Sequence, residues 1–165
     1  MNDREMMQLS QQLGEALRPL GATVTTAESC TGGWVAKMIT DIAGSSAWFE
    51  RGFVTYSNEA KQQMIGVDCA TLEAHGAVSE PVVRQMALGA LNAAAATWAV
   101  SVSGIAGPDG GSAQKPVGTV WFGIANDQGE VRTYLQNFPG DREAVRRQAT
   151  VFALQTLWQN IRQKA

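Results

Sequence analysis

Short β-branched runs alternate with helix-periodic segments along nearly the whole chain, and one pair of runs is joined by only a short polar turn. That alternation limits the fold more than any other feature. Ala22–Ala27 and Trp98–Ser103 read as buried strands. Val117–Ala125 and Val131–Phe138 are strands joined by Asn126-Asp127-Gln128-Gly129, a hairpin signal that forces one antiparallel pair. Trp48–Tyr56 reads as a further strand, interrupted by Glu50-Arg51-Gly52. Helical periodicity surrounds these runs. Met6, Leu9, Leu13, Leu17 and Leu20 recur at three- and four-residue steps up to Gly21. Thr31–Thr40, Asn58–Ile65 and Thr71–His75 are shorter helical pieces, and Ser79-Glu80-Pro81 opens an alanine-rich helix to about Ala96. The order predicts one domain over residues 1–165: a three-layer α/β/α fold with a mixed β-sheet.

Asp141 caps a last predicted helix reaching about Arg162. It is apolar nearly all round, with Val145, Ala149, Phe152 and Ala153 on one side and Val151, Leu154, Trp158 and Ile161 on the other. Such a helix must be covered twice. The sheet is one cover. The other is either the first helix of the same chain or a second subunit, and the latter is the ground for expecting a homo-oligomer.

Composition narrows the function classes. A chain of 165 residues, 45% hydrophobic and 17% charged, is ordinary for a globular protein and can bury a core without staples. A net charge of −2 leaves no basic footprint for nucleic acid. The mixed-charge start MNDREMMQLSQQLG is no signal peptide, and no apolar run approaches the ~20 residues that span a bilayer. A cytoplasmic protein with no nucleic-acid or membrane partner is expected. Cys30 and Cys69 form no C-x-x-C, there is one histidine, and no carboxylates share ligand spacing. Neither a metal nor an organic cofactor is expected.

The strand–turn–helix pattern from Thr25 to Lys37 places Ser29 and Cys30 at its tip, before Gly32 and Gly33. Either they are small residues filling a tight corner, or one is a nucleophile over backbone N–H groups. A histidine-based triad is excluded, because His75 reads as a helix C-terminal residue before Gly76 and no G-x-S-x-G elbow exists. A nucleophile without histidine needs a lysine of lowered pKa. Lys61 is the best placed, in the first turn of a helix capped by Ser57 or Asn58, with Tyr56 just before it at a strand end. Gly104, Gly107, Gly110 and Gly111 let backbone N–H groups converge on an anion. The loop differs from a Walker motif, since Lys115 is followed by Pro116 and then a strand. Gly140-Asp141-Arg142 is a second anion candidate. A solvated lysine, a packed tyrosine and a flexible crossover loop remain open for these residues taken alone.

Six motifs occur in fixed order: AESCTGG, GFVTYSNEAK, HGAVS, SGIAGPDGG, KPVGTVWF and FPGDR. Together they resemble the nicotinamide-nucleotide amidohydrolase (PncC) family, also known as the C-terminal domain of competence-inducible protein CinA, from about Leu9 to Trp158. The chain looks like the stand-alone form, without the N-terminal nucleotide-hydrolase module of fused members. The resemblance implies hydrolysis of the carboxamide of nicotinamide mononucleotide to nicotinic acid mononucleotide and ammonia, in pyridine-nucleotide salvage. It implies Ser29 as nucleophile, Tyr56 and Lys61 as its partners, and Ser103 and Arg142 as substrate contacts. On that footing the turn Cys30, Thr31, Gly32 and Gly33 would stabilise the oxyanion and let the substrate approach, while Gly104 and Gly107 would meet the phosphate. One departure is Asp109, where many relatives are expected to carry glycine; an inward carboxylate would repel a phosphate. The rivals are a nucleotide-binding regulatory module that turns nothing over, and a cysteine amidase using Cys30.

Overall fold

The computed structural model describes residues 1–164, in which six helices flank a five-stranded mixed sheet. The elements in chain order are α1 (Asp3–Leu17), β1 (Val24–Glu28), α2 (Trp34–Thr40), β2 (Phe53–Val54), α3 (Asn58–Ile65), α4 (Cys69–His75), α5 (Glu80–Ala94), β3 (Trp98–Gly104), β4 (Thr119–Asn126), β5 (Val131–Asn137) and α6 (Arg142–Lys164). The sheet order is β2-β1-β3-β4-β5. β1 runs parallel to both its neighbours, and β4 is antiparallel to both of its own. The antiparallel end follows from the hairpin, where Asn126 Oδ1 accepts from the N–H groups of Gln128 and Glu130 and Gly129 takes a φ of 81°.

Side chains alternate across the sheet, and its two faces differ in size. Val24, Val100, Val102, Val120, Phe122 and Ile124 pack with α1, α2 and α6 in the larger core. The opposite face carries Ala27, Ala99, Ser101, Gly123 and Ala125. This small face lets α5 lie close. A Cβ at position 123 would sit 2.7 Å from the Val83 carbonyl oxygen, and the buried Ser101 hydroxyl donates to that same oxygen at 2.6 Å.

α1 covers the second apolar side of α6. Met6, Leu9, Leu13 and Leu17 share a core with Ala153, Leu154, Leu157 and Ile161, and Arg147 pairs with Asp3 at 2.7 Å. Cover from the same chain removes the motive for placing a second subunit on that face.

Two boundaries depart from the sequence pattern. β2 keeps only Phe53–Val54 of the expected run from Trp48 to Tyr56. Trp48 is instead buried against α1, where a Cβ on Gly14 would lie 2.5 Å from its ring. The Arg51 carbonyl is taken by the Thr25 hydroxyl, and Gly52 crosses directly over Thr26. Val24 still pairs with the Trp48–Phe49 end, so side-chain packing replaces ladder pairing only between Phe49 and Phe53. α2 begins at Trp34 rather than Thr31, because Gly32 and Gly33 adopt φ of +59° and +104°. No helix among the described residues is long and apolar enough to cross a membrane.

Gly89 marks the closest approach on the small face. A Cβ there would stand 1.8 Å from the Ile65 carbonyl oxygen at the end of α3. Alanine in a helix interior normally adds about 1 kcal/mol over glycine. Here overpacking reverses the sign, and Gly89→Ala is expected to lower the unfolding free energy by about 1–3 kcal/mol. Urea unfolding of the two proteins measures this.

Candidate active site

The carboxyl ends of the three parallel strands bring the chemistry together. Ser29 follows β1, Thr55 and Tyr56 follow β2, and the glycine-rich loop follows β3. Open α/β sheets place ligands at this edge. An open cleft of about 290 Å³ lies there, with Ser29, Cys30, Tyr56, Gly104, Gly107 and Arg142 on its wall. Its size is near the ~300 Å³ lower end of small-molecule sites.

Lys61 reaches this edge from below. The Ser57 hydroxyl caps α3 by accepting from the Ala60 N–H at 3.0 Å, which settles the choice between Ser57 and Asn58. Lys61 then stands one turn into the helix, its N–H bonded to the Ser57 carbonyl, and its side chain is only 1% exposed. Its Nζ donates to Ser29 Oγ at 3.1 Å and to the Thr55 carbonyl at 3.0 Å. Burial holds the ammonium pKa below its ordinary value. The influence that would restore it, a Cys30 thiolate, is absent at neutral pH, because burial pushes that thiol up to about 12. The result is a lysine biased toward the neutral amine, facing a serine hydroxyl on a cleft wall.

The turn carrying Ser29 is held from two sides by residues that the motif reading passed over. The Glu28 carboxylate is 1% exposed and accepts from Thr31 Oγ1 at 2.6 Å and from the Val35 and Ala36 N–H groups at 2.9 Å each. It thereby caps the start of α2. Arg146 on α6 donates through Nε to the Cys30 carbonyl at 3.1 Å and through Nη2 to the Thr31 carbonyl at 3.2 Å. The signals were present in the sequence: a carboxylate ending a buried strand, and an arginine one helical turn after Arg142.

The other candidates are distributed as follows. Arg142 lines the cleft, donating to the Gly107 carbonyl at 2.7 Å and to the Tyr56 hydroxyl at 3.1 Å. Tyr56 is 61% exposed, and its hydroxyl meets Arg142 while Lys61 meets Ser29 and the Thr55 carbonyl. Alternation past β2 is the reason: Thr55 turns inward and Tyr56 outward. Gly104 and Gly107 are on the wall, together with Asp109. Ser103 is buried in β3 and lies outside the cleft lining, as do Thr31, Gly32 and Gly33. Thr31 is committed to Glu28, and the glycines supply backbone curvature. His75 is exposed at the end of α4, its carbonyl accepting from Lys115 Nζ at 2.9 Å. Among the described residues no three His, Cys, Asp or Glu side chains cluster to hold a metal ion.

Two outcomes follow from these environments. A thiol that is 6% exposed with a pKa near 12 is a poor nucleophile, so turnover is expected to survive iodoacetamide treatment and the Cys30→Ala change within about threefold. With Lys61 as base the neutral amine would be the working form, and kcat/KM should then climb tenfold per pH unit on the acid side. It should level off below the ~10.4 of an ordinary lysine. A profile still climbing at that pH would mean an unperturbed amine.

The family model for the CinA C-terminal domain matches residues 6–161. The nicotinamide-nucleotide amidohydrolase PncC of Shigella flexneri is 73% identical over 163 residues, covering 99% of each chain. The protein of the same description from Escherichia coli K12 has the same identity and coverage. A crystal structure of a CinA superfamily protein from Klebsiella pneumoniae superposes with a TM-score of 0.92 at 40% identity, covering 96% of this chain and 98% of that one. Sequence motifs, sheet topology and the cleft at the strand ends agree with these matches, and the chain belongs to the CinA C-terminal domain family.

Proposed function

We propose that this protein hydrolyses the carboxamide of nicotinamide mononucleotide, releasing nicotinic acid mononucleotide and ammonia in pyridine-nucleotide salvage. The single observation that carries the mechanism is the buried Lys61 amine 3.1 Å from Ser29 Oγ. Relatives of 73% identity named for nicotinamide-nucleotide hydrolysis support the substrate class.

The neutral Lys61 amine takes the Ser29 proton as Oγ attacks the carboxamide carbon. The carbonyl π electrons move onto oxygen, giving a tetrahedral oxyanion. As it collapses, the C–N bond breaks, and the Lys61 ammonium returns the proton to the departing nitrogen, which leaves as ammonia. The acyl-serine ester is then attacked by water, deprotonated by Lys61, and Ser29 is regenerated as the acid leaves. The Thr55 carbonyl keeps the amine aimed through this cycle by holding one of its hydrogens. The amine of an exposed lysine is neutral well under ~1% of the time at pH 7, and each unit of pKa lowering makes that form about tenfold commoner.

The nucleotide's charge is met on the glycine-rich wall of the same cleft. The N–H groups of Ala106, Gly107, Asp109 and Gly110 have no acceptor among the described residues, and Arg142 stands beside them. Asp109 shares that wall, so a phosphate held by these amides and Arg142 must sit clear of its carboxylate. A regulatory module that only binds a nucleotide gives no reason to bury a lysine amine against a serine hydroxyl.

Ammonia release from nicotinamide mononucleotide is the deciding assay. Ser29→Ala is expected to be inactive with an unchanged unfolding transition, and an acyl adduct trapped on any other residue would reassign the nucleophile. Lys61→Arg keeps the charge but cannot act as base, so it should lose about 10²–10⁴-fold in kcat, as Lys61→Ala does. Arg142→Ala should raise KM for the nucleotide about tenfold or more, through loss of a charge-assisted contact, and leave nicotinamide riboside nearly unaffected.

A further inference from the structure

The turn after Ser29 has an unusual division of labour between its backbone donors and acceptors. The Ser29 carbonyl accepts from the Gly32 N–H at 3.1 Å. The Cys30 and Thr31 carbonyls both accept from Arg146. Every carbonyl oxygen of this three-residue stretch is therefore engaged. The N–H groups of Cys30, Thr31 and Gly33, by contrast, have no acceptor among the described residues. The C=O and N–H of a trans peptide unit point in opposite directions. Fixing an oxygen toward Arg146 thus fixes the hydrogen of the same unit away from it.

We propose that Arg146 is a positioning residue for the amide hydrolysis: it locks the peptide units after Ser29 so that donors, and not acceptors, face the oxyanion. The inference rests on the serine reading given above. Cys30 lines the cleft beside Ser29, and its N–H is the donor nearest the attacking oxygen in sequence. Arg146 reaches that donor at one remove: Nη2 holds the Thr31 carbonyl, the Gly32 N–H of the same unit holds the Ser29 carbonyl, and the Cys30 N–H shares the Ser29 carbonyl's unit. Nε holds the oxygen of the next unit, Cys30–Thr31. Released, that unit is free to rotate and bring a carbonyl oxygen toward the developing negative charge, which would oppose it. A guanidinium at the oxygen end also polarises the unit and strengthens its N–H as a donor. The side chain is itself steadied, with its guanidinium carbon 5.7 Å from the centroid of the Trp34 ring. Glycine at position 32 suits the same arrangement, since a Cβ there would come within 3.4 Å of Arg146 Nη2.

Lysine can place one ammonium between the two carbonyls but cannot bond them as a fork. Arg146→Met removes clamp and charge together. The test compares kcat and KM for nicotinamide mononucleotide in the wild type, Arg146→Lys, Arg146→Met and Ser29→Ala, with thermal unfolding of each. A donor held only for the transition state changes kcat and leaves KM alone. Arg146→Met should lose about 10–100-fold in kcat, less than the ~10²–10³ of deleting an oxyanion donor outright, with KM within threefold. Arg146→Lys should recover part of the loss, and its acid limb should keep the wild-type pKa, because Lys61 is untouched. Should Arg146→Met be unfolded at the assay temperature, Arg146→Lys alone decides: a lowered kcat at constant KM supports the role, and wild-type kcat overturns it. A raised KM with unchanged kcat in either folded variant also overturns it. Turnover by Ser29→Ala would sink the serine reading itself, whereas an inactive Ser29→Ala beside fully active Arg146 variants would sink only the positioning role.

Discussion

Burial of one amine organises this molecule. Lys61 Nζ lies out of water between Ser29 Oγ and the Thr55 carbonyl. A charged ammonium loses its hydration there, and two neutral acceptors cannot restore it fully. The site therefore disfavours the charged form of the residue that occupies it, which is what a base working near neutrality requires. The same placement constrains three elements at once. α3 must start at Ser57 to aim the side chain, β2 must end so that the Thr55 carbonyl faces it, and β1 must end so that Ser29 faces it. β2 is short, but this geometric demand is met by the parallel register of Ala27 with Phe53 and Glu28 with Val54, and by the Thr55 N–H bonded to the Glu28 carbonyl.

Opposite the amine, the Ser29 turn is stiffened by charge acting through hydrogen bonds. Glu28 satisfies the first amides of α2, and Arg146 satisfies the carbonyls that precede it. These two side chains of opposite sign approach the turn from β1 and α6, so the turn's geometry depends on how α6 packs on the sheet. Phe122, Phe138 and Phe152 set that packing, with ring centroids 4.6 Å apart for Phe122 and Phe152 and 6.2 Å apart for Phe122 and Phe138. The aromatic core below and the cleft at the strand ends above are thereby linked through α6. Arg142, four residues earlier on the same helix, connects the Gly107 carbonyl to Tyr56 and closes one side of the cleft.

The unequal faces of the sheet explain why such a small domain has a firm site. Large residues toward α1, α2 and α6 provide most of the apolar burial, and small ones let α5 sit almost on the strands. Close packing of this kind resists local adjustment, and the hydroxyl of Ser101 replaces an apolar contact with a bond to the α5 backbone.

Much of this was readable from residue order alone. The hairpin at Asn126–Gly129, the cap at Asp141, the periodic first helix and the alternating runs determine an α/β domain with a mixed sheet, because turn chemistry and apolar periodicity are local properties. The ordered motifs likewise singled out Ser29, Lys61 and Arg142. Tertiary structure decided the rest. Whether α1 or another subunit covers α6 depends on packing between segments far apart in the chain, and so does the break in ladder pairing between Phe49 and Phe53. Tyr56 follows Thr55 in sequence, yet only the path of the chain past β2 determines that Thr55 meets the amine and Tyr56 meets Arg142. Glu28 and Arg146 converge on one turn from positions more than a hundred residues apart, as the bond from Arg146 to Cys30 spans 116 residues. No local pattern encodes such a contact; it exists because α6 packs against α2, beside the turn that leaves β1.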